Sequence, residues 1–177
     1  RFFEHLRGCD LPWQCLHLYL SDERCVPVGD SERNDRLLEE VLLPDIDLPF
    51  DQLHRIPAEF GPEEGARRYA ETLQSVPAFD IAILGMGPDG HIASLFPCHP
   101  ALQDIRDAVP VVAAPKAPFS RVSVGLSRLR AATSRHVIAV GAEKQAAFAG
   151  DDPLAALPVL QLEATVWCAW MSSSGRV

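Results

Sequence analysis

Two short apolar runs, each closed by a polar or glycine-rich stretch, set the pattern of this chain. Cys15–Leu20 (CLHLYL) ends at Ser21-Asp22-Glu23-Arg24, and Phe79–Leu84 (FDIAIL) ends at Gly85-Met86-Gly87. Near-continuous apolar runs of this length predict buried strands in a sheet covered on both faces, which favours parallel pairing. Between them, Asn34–Leu43 places Leu37, Leu38, Val41 and Leu42 on one helical face, and Pro44 stops it. Pro62–Ser75 predicts a second helix. Pro62 lies in its first turn, with Glu63 and Glu64 where the helix dipole favours negative charge.

Downstream, strands are predicted at Val109–Ala113, Arg121–Val124, His136–Val140 and Thr165–Trp170. Helices are predicted at Ser127–Ala132, Ala142–Ala149 and Leu154–Leu157. Strands alternating with helices give an α/β fold, Rossmann-like, with a mostly parallel sheet flanked by helices. No repeat, low-complexity tract or linker divides residues 1–177, so one domain is expected. In an open parallel sheet, ligands sit beyond the carboxyl ends of the strands. That rule brings Asp22, Arg24, Asp89 and His91 to one crevice.

Composition narrows the ligand. With 24 acidic residues against 16 basic ones and a net charge of −8, the chain lacks the clustered cations that nucleic-acid binding needs. A few cations in one cleft still suffice for a small anion. No apolar run approaches a membrane span, and no charged-then-apolar leader follows Arg1. The five cysteines are odd in number and show no C-x-x-C spacing, which predicts free thiols in a reducing compartment, the cytoplasm. The start at Arg rather than Met leads us to expect an N-terminally incomplete chain.

The chemistry concentrates at Gly85–His91. Gly85, Gly87 and Gly90 allow positive φ or close backbone approach, and a strand–loop–helix start would turn amides toward an anion. The same spacing also fits an ordinary turn. It is not a dinucleotide fingerprint, because Pro88-Asp89 precedes Gly90 and no acidic partner follows. His91 is expected at the start of the next helix; an imidazole with a reference pKa of ~6.5 can exchange a proton near neutrality. Asp89 could orient that ring or meet a ligand hydroxyl. Arg24 offers a planar fork suited to phosphate, beside Asp22 and Glu23. Lys144, after Gly141-Ala142-Glu143, reads on its own as a surface residue. His91, Cys98 and His99 are interrupted by Pro97 and Pro100, so no metal site is expected, and no G-x-S-x-G elbow is present.

Four segments carry a resemblance: YLSDERCVP (Tyr19–Pro27), FDIAILGMGPDGHIASLFP (Phe79–Pro97), PKAPFSRVSVGLSRL (Pro115–Leu129) and VGAEK (Val140–Lys144). Together they resemble the 6-phosphogluconolactonase family, within the larger group that includes glucosamine-6-phosphate deaminases. The resemblance implies hydrolysis of 6-phospho-D-glucono-1,5-lactone to 6-phosphogluconate in the pentose phosphate pathway, without cofactor or metal. It implies His91 as general base or acid with Asp89, Asp22 and Arg24 beside it, Gly87 and Gly90 at the substrate, and Arg24 and Lys144 toward its phosphate. Deaminases follow Asp-Gly-His with Ile-Ala-Phe-Asn-Glu-Pro; here Phe96 stands at the glutamate position, which favours the lactonase branch. A sugar-phosphate isomerase or deaminase, and a non-catalytic sugar-phosphate-binding regulator, are the alternatives. Retention of Asp89 and His91 argues for catalysis.

The sequence departs from the family at two places. The earlier strand and SGGSTP-like phosphate loop that the family usually carries are absent, and Arg1–Arg7 resembles the tail of the helix that follows them. Where the family often has Trp, His and Ser-Asn, this chain has Cys25, Asp30 and Arg33-Asn34. Arg33 is expected either as a further phosphate contact or in solvent.

Overall fold

The first apolar run is strand over a shorter stretch than its pattern predicts. In the computed structural model, which describes residues 2–144 and 157–169, helix α1 (Phe2–Arg7) leads to a 3₁₀ turn at Trp13–Cys15 that buries the Trp13 ring. Only β1 (Leu18–Tyr19) remains as strand, parallel to β3 (Leu53–His54). The charged cluster expected as a loop is itself a strand. β2 (Asp22–Arg24) pairs antiparallel with β6 (Arg121–Val124), which pairs antiparallel with β5 (Ala108–Val111). The third sheet is parallel, in the order β4 (Ile81–Gly85), β7 (Ser134–Val140), β8 (Thr165–Ala169).

The architecture is α/β, with parallel sheets flanked by helices and a small antiparallel sheet that apolar periodicity alone does not distinguish. α2 (Asn34–Val41) ends ahead of Pro44, which sits in a 3₁₀ turn at Leu43–Asp45. α3 (Pro62–Leu73) buries Ala66, Tyr69 and Leu73, spaced three and four apart, on its inner face. The Tyr69 hydroxyl donates to the Leu20 carbonyl at 2.8 Å, fastening α3 to the end of β1. α4 (Leu126–Arg130) follows β6, and α5 (Pro158–Gln161) precedes β8. The helix expected over Ala142–Ala149 is a 3₁₀ turn at Ala142–Lys144, and its remainder lies outside the described residues. Most of the Leu154–Leu157 expectation, and Trp170, lie outside them as well.

One continuous apolar cluster joins these layers, from Leu38 and Leu42 through Tyr69, Leu84, Ile92, Phe96 and Val122 to Val137 and Leu162. The parallel sheet departs from its expected two-sided burial. Ala82, Leu84, Val137 and Ala139 face the core, whereas Ile81 and Ile83 are 60% and 46% exposed on the other face, with Val140 and Trp167. An apolar run therefore reports what a strand can bury on each face, not which faces are covered. No helix among the described residues is long and apolar enough to cross a membrane.

All five cysteines are free thiols, and Cys9, Cys15, Cys98 and Cys168 are exposed. Cys25 is the exception. Burial is the main cause that pushes its thiol up to about 11, against the pull of the Arg33 charge. Because the thiolate is the reactive form, four thiols of the native protein should react rapidly with a disulfide reagent at pH 8. Cys25, only partly exposed, should react markedly more slowly; a fifth equivalent as fast as the other four would contradict its shielding.

Candidate active site

The register of β2 against β6 builds one wall of the site. Asp22 faces Ser123 and Arg24 faces Arg121. Residues two apart share a sheet face, so all four side chains stand on one side. Directly opposed like charges repel, and here both are guanidiniums. Arg121 is 5% exposed, and its hydrogen bonds go to neutral oxygens rather than to a carboxylate. Its Nε donates to the Pro118 carbonyl at 2.9 Å, and its Nη2 to those of Lys116 and Ala117 at 3.1 and 3.3 Å. The Phe96 ring lies under it, 5.5 Å from the guanidinium carbon. Burial lowers the Arg121 pKa and the Arg24 charge lowers it further, against the pull of Asp22 and Glu32. Arg24 donates from Nη1 to the Glu32 carbonyl, while its buried Nε finds no partner among the described residues. Two opposed cations and an idle buried donor make a place for an anion.

The other face of β2 explains how this wall is held. Glu23 is fully buried (0% exposed) and accepts hydrogen bonds from the amides of Arg24, Asn34 and Asp35, each at 2.8 Å. It thereby caps the N-terminus of α2 from a different strand, where negative charge is favourable. Burial pushes the Glu23 carboxyl pKa up, and the three amides draw it only part of the way back. Arg33 neither reaches the cleft nor lies in solvent. Its Nε and Nη2 fork onto Asp35 at 2.9 and 2.8 Å, and its Nη1 meets Glu59 at 3.1 Å. This buried cluster accounts for the Arg at that position: it pins the start of α2 and leaves no free donor for a ligand.

The opposite wall is the glycine loop after β4. The Gly87 amide donates to the His91 carbonyl at 2.9 Å, and the Gly90 amide to the Gly87 carbonyl at 3.1 Å. Only Gly90 of the three loop glycines takes a positive φ, +79°. No helix follows. The chain continues through turns and isolated bridges, Met86 with Ile92 and Ile92 with Leu95, so His91 sits in a tight loop rather than at a helix start. The reason is in Ile92, Leu95 and Phe96, all fully buried, whose spacing serves a folded-back loop. His91 Nδ1 is hydrogen-bonded to Asp89 Oδ1, and its ring packs 4.6 Å from that of Phe96. Burial works against the Asp89 carboxylate, but the hydrogen bond and charge of His91 outweigh it, and the net displacement of its pKa is downward. A Cβ at Gly87 would stand 2.0 Å from His91 Cε1. The ring occupies space that only glycine leaves.

The walls enclose a cleft of about 250 Å³ lined by Asp22, Arg24, Asn34, Gly87, His91 and Arg121, among others. Of the residues singled out from sequence, Asp22, Arg24, Gly87 and His91 thus meet in one place, with Asp89 behind the imidazole. Gly90 lies outside the lining and packs against Leu157. Lys144 ends the 3₁₀ turn after β7, also outside the lining. Arg121 was not singled out, although a charged residue opening the otherwise apolar-and-small strand RVSV was the available signal. Among the described residues no group of three or more metal-ligating side chains gathers. Both ring nitrogens of His99 are engaged, with the Val112 carbonyl and the Ala101 amide.

Comparison with known proteins bears on this cleft. A family model described as glucosamine-6-phosphate isomerases/6-phosphogluconolactonase matches residues 1–162. A 6-phosphogluconolactonase of Mycobacterium leprae is 36% identical over 91% of this chain and 73% of its own length. One of Streptomyces coelicolor is 37% identical over 78% of this chain, which spans only 59% of that relative. The crystal structure of a 6-phosphogluconolactonase from Thermotoga maritima superposes with a TM-score of 0.85 at 29% identity, covering 96% of this chain and 79% of that one.

Proposed function

Because the chain belongs to the glucosamine-6-phosphate isomerase/6-phosphogluconolactonase family, we propose that it hydrolyses 6-phospho-D-glucono-1,5-lactone to 6-phospho-D-gluconate, a step of the pentose phosphate pathway. One observation carries this reading: a carboxylate-supported imidazole shares a cleft with two guanidiniums that lack carboxylate partners among the described residues. A phosphorylated ester needs a base at one end and cations at the other.

With Nδ1 held by Asp89, His91 has Nε2 left to take a proton from water, which attacks C1 of the lactone. The Gly87, Gly90 and His91 amides are engaged within the loop, so the positive charge that His91 gains with the proton is what offsets the oxyanion at C1. The protonated imidazole then gives its proton to the ring oxygen as the C1–O bond breaks, which restores the base. Arg24 and Arg121 hold the phosphate, and Asp22 accepts from a sugar hydroxyl. The phosphate is remote from C1, so its binding energy is used for orientation. A lactone is already reactive, and this set of groups is sufficient without metal or cofactor. The unpaired thiols support a reducing compartment, the cytoplasm.

The test is acid release from freshly generated 6-phosphogluconolactone above its spontaneous hydrolysis, beside ammonia release from glucosamine 6-phosphate. Acid release alone is the expected result. Ammonia release would move the chain to the deaminase branch despite Phe96. Phosphosugar binding with neither reaction would make it a regulator.

Gly87 supplies a sharper check on the geometry. Gly87→Ala should lower kcat/KM about tenfold to a hundredfold, the scale of a misplaced reacting group, because the new methyl displaces the His91 ring. Unchanged kinetics would mean that the imidazole does not work from the position described.

A further inference from the structure

Ser94 is polar yet fully buried (0% exposed), three residues beyond the proposed base. It follows Ala93, a non-glycine residue at φ +49°, so the chain is bent sharply where the serine is placed. Every polar group that it directs toward the cleft wall is engaged there. Its Oγ donates to Asp22 Oδ2 at 2.6 Å and accepts from Arg121 Nη1 at 3.5 Å, and its amide donates to Ser123 Oγ at 3.3 Å. Two of the four side chains on the polar face of β2 and β6 therefore converge on one hydroxyl, and a third meets the amide of the same residue.

That placement solves a problem set by the charges. Asp22 and Arg121 are two register positions apart on adjacent strands, within reach of each other across the sheet diagonal. A carboxylate and a guanidinium so placed gain by closing into a direct ion pair. Such a pair would cancel the charge that each needs for a ligand. Among the described residues no salt bridge joins them; the hydroxyl stands between, donating to one and accepting from the other. Asn34 Nδ2, which donates to Asp22 Oδ1 at 3.3 Å, holds the opposite edge of the carboxylate.

We propose that Ser94 is a positioning residue: its hydroxyl is the spacer that keeps Asp22 and Arg121 apart, and so fixes the span between the hydroxyl-binding and phosphate-binding ends of the cleft. The proposal rests on the lactonase reading for the identity of the two ends, but not for the spacing itself. Removing the spacer lets the two charges meet. Binding is then weakened at both ends at once, while His91 and Asp89, on the other wall, are untouched.

The experiment combines Ser94→Ala, Asp22→Asn and the double variant, with two readouts on the purified protein. In Ser94→Ala, KM for the phosphorylated lactone should rise about 10- to 100-fold while kcat stays within about threefold. The inhibition constant of inorganic phosphate, or its dissociation constant by calorimetry, should rise with KM. In the Asp22→Asn background the ion pair cannot form, so adding Ser94→Ala should change phosphate affinity by less than about twofold. A general loosening of the fold would lower kcat as KM rises and would persist beside Asp22→Asn, and either result overturns the proposal. Unaltered KM and phosphate affinity in Ser94→Ala overturn it too. If the wild-type chain fails to open the lactone but phosphate affinity still follows the predicted cycle, the lactonase reading falls and the spacer stands.

Discussion

Replacing His91 by alanine is expected to lower kcat/KM for 6-phosphogluconolactone by about 10²–10⁴-fold, the range for loss of a positioned general base. Two contacts make His91 the residue on which rate depends. Its Nδ1 is engaged by Asp89, which fixes the ring and leaves Nε2 for water, and Phe96 closes off one side of the imidazole. Neither contact holds a substrate, so the loss should fall on kcat more than on KM. The pH dependence follows from the sign of the Asp89 displacement. A carboxyl whose folded-state pKa is depressed contributes above its ordinary value of ~3.9, and that contribution fades only as pH falls through the lower folded value. Asp89 therefore stays ionised at and above the ordinary carboxyl range and contributes no acid limb near neutrality. Asp89→Asn should lower the rate without shifting the pH profile near neutrality, because an amide no longer enforces the tautomer. The profile is measured by acid release, corrected for spontaneous hydrolysis. His91→Ala protein that still opens the lactone at the wild-type rate would remove His91 from the mechanism.

Arg121→Ala should raise KM for the phosphorylated lactone by about 30- to 1000-fold, from the 2–4 kcal/mol typical of truncating one partner of a buried charge-assisted contact. The guanidinium is nearly inaccessible, held by three backbone carbonyls, and directed at the cleft across from Arg24. The effect should be selective. An unphosphorylated gluconolactone has nothing for this residue to hold, so its kcat/KM should change far less. Arg24→Ala should show the same split, and the two losses should add incompletely, because removing either cation relieves the repulsion felt by the other. Arg121→Lys is not a gentle substitution at such a position, since an ammonium cannot reproduce a planar fork set on three carbonyls. Equal losses on phosphorylated and unphosphorylated substrates would take Arg121 out of the phosphate site.

What was legible in the chain and what was not divides along sequence distance. The β4–glycine loop–His91 unit is local, and its apolar run, turn residues and histidine are contiguous, so pattern alone placed it. The Asp22–Arg24 segment has the pattern of a loop, because three charged residues carry no β signal. It becomes a strand because Arg121–Val124, about a hundred residues away, offers it a partner. Arg121 escaped notice for the same reason: its meaning comes from standing opposite Arg24, which no local window contains. In sequence Arg33 fits a phosphate ligand or a solvated residue equally, because its cage of Asp35 and Glu59 exists only in the fold. The helix expected after His91 failed where local propensity yielded to burial of Ile92, Leu95 and Phe96.

Glu23 has a consequence for how the cleft moves. Its carboxylate is the cap of α2 and its backbone is the middle of β2, so the first turn of the helix cannot fray without the strand losing its anchor. Strand and helix form one cooperative unit of local opening. A ligand that immobilises Asp22 and Arg24 thereby steadies Asn34–Val41 through Glu23 and through Asn34, whose Nδ2 donates to Asp22. Amide exchange in the first turn of that helix becomes a backbone readout of whether the cleft is filled.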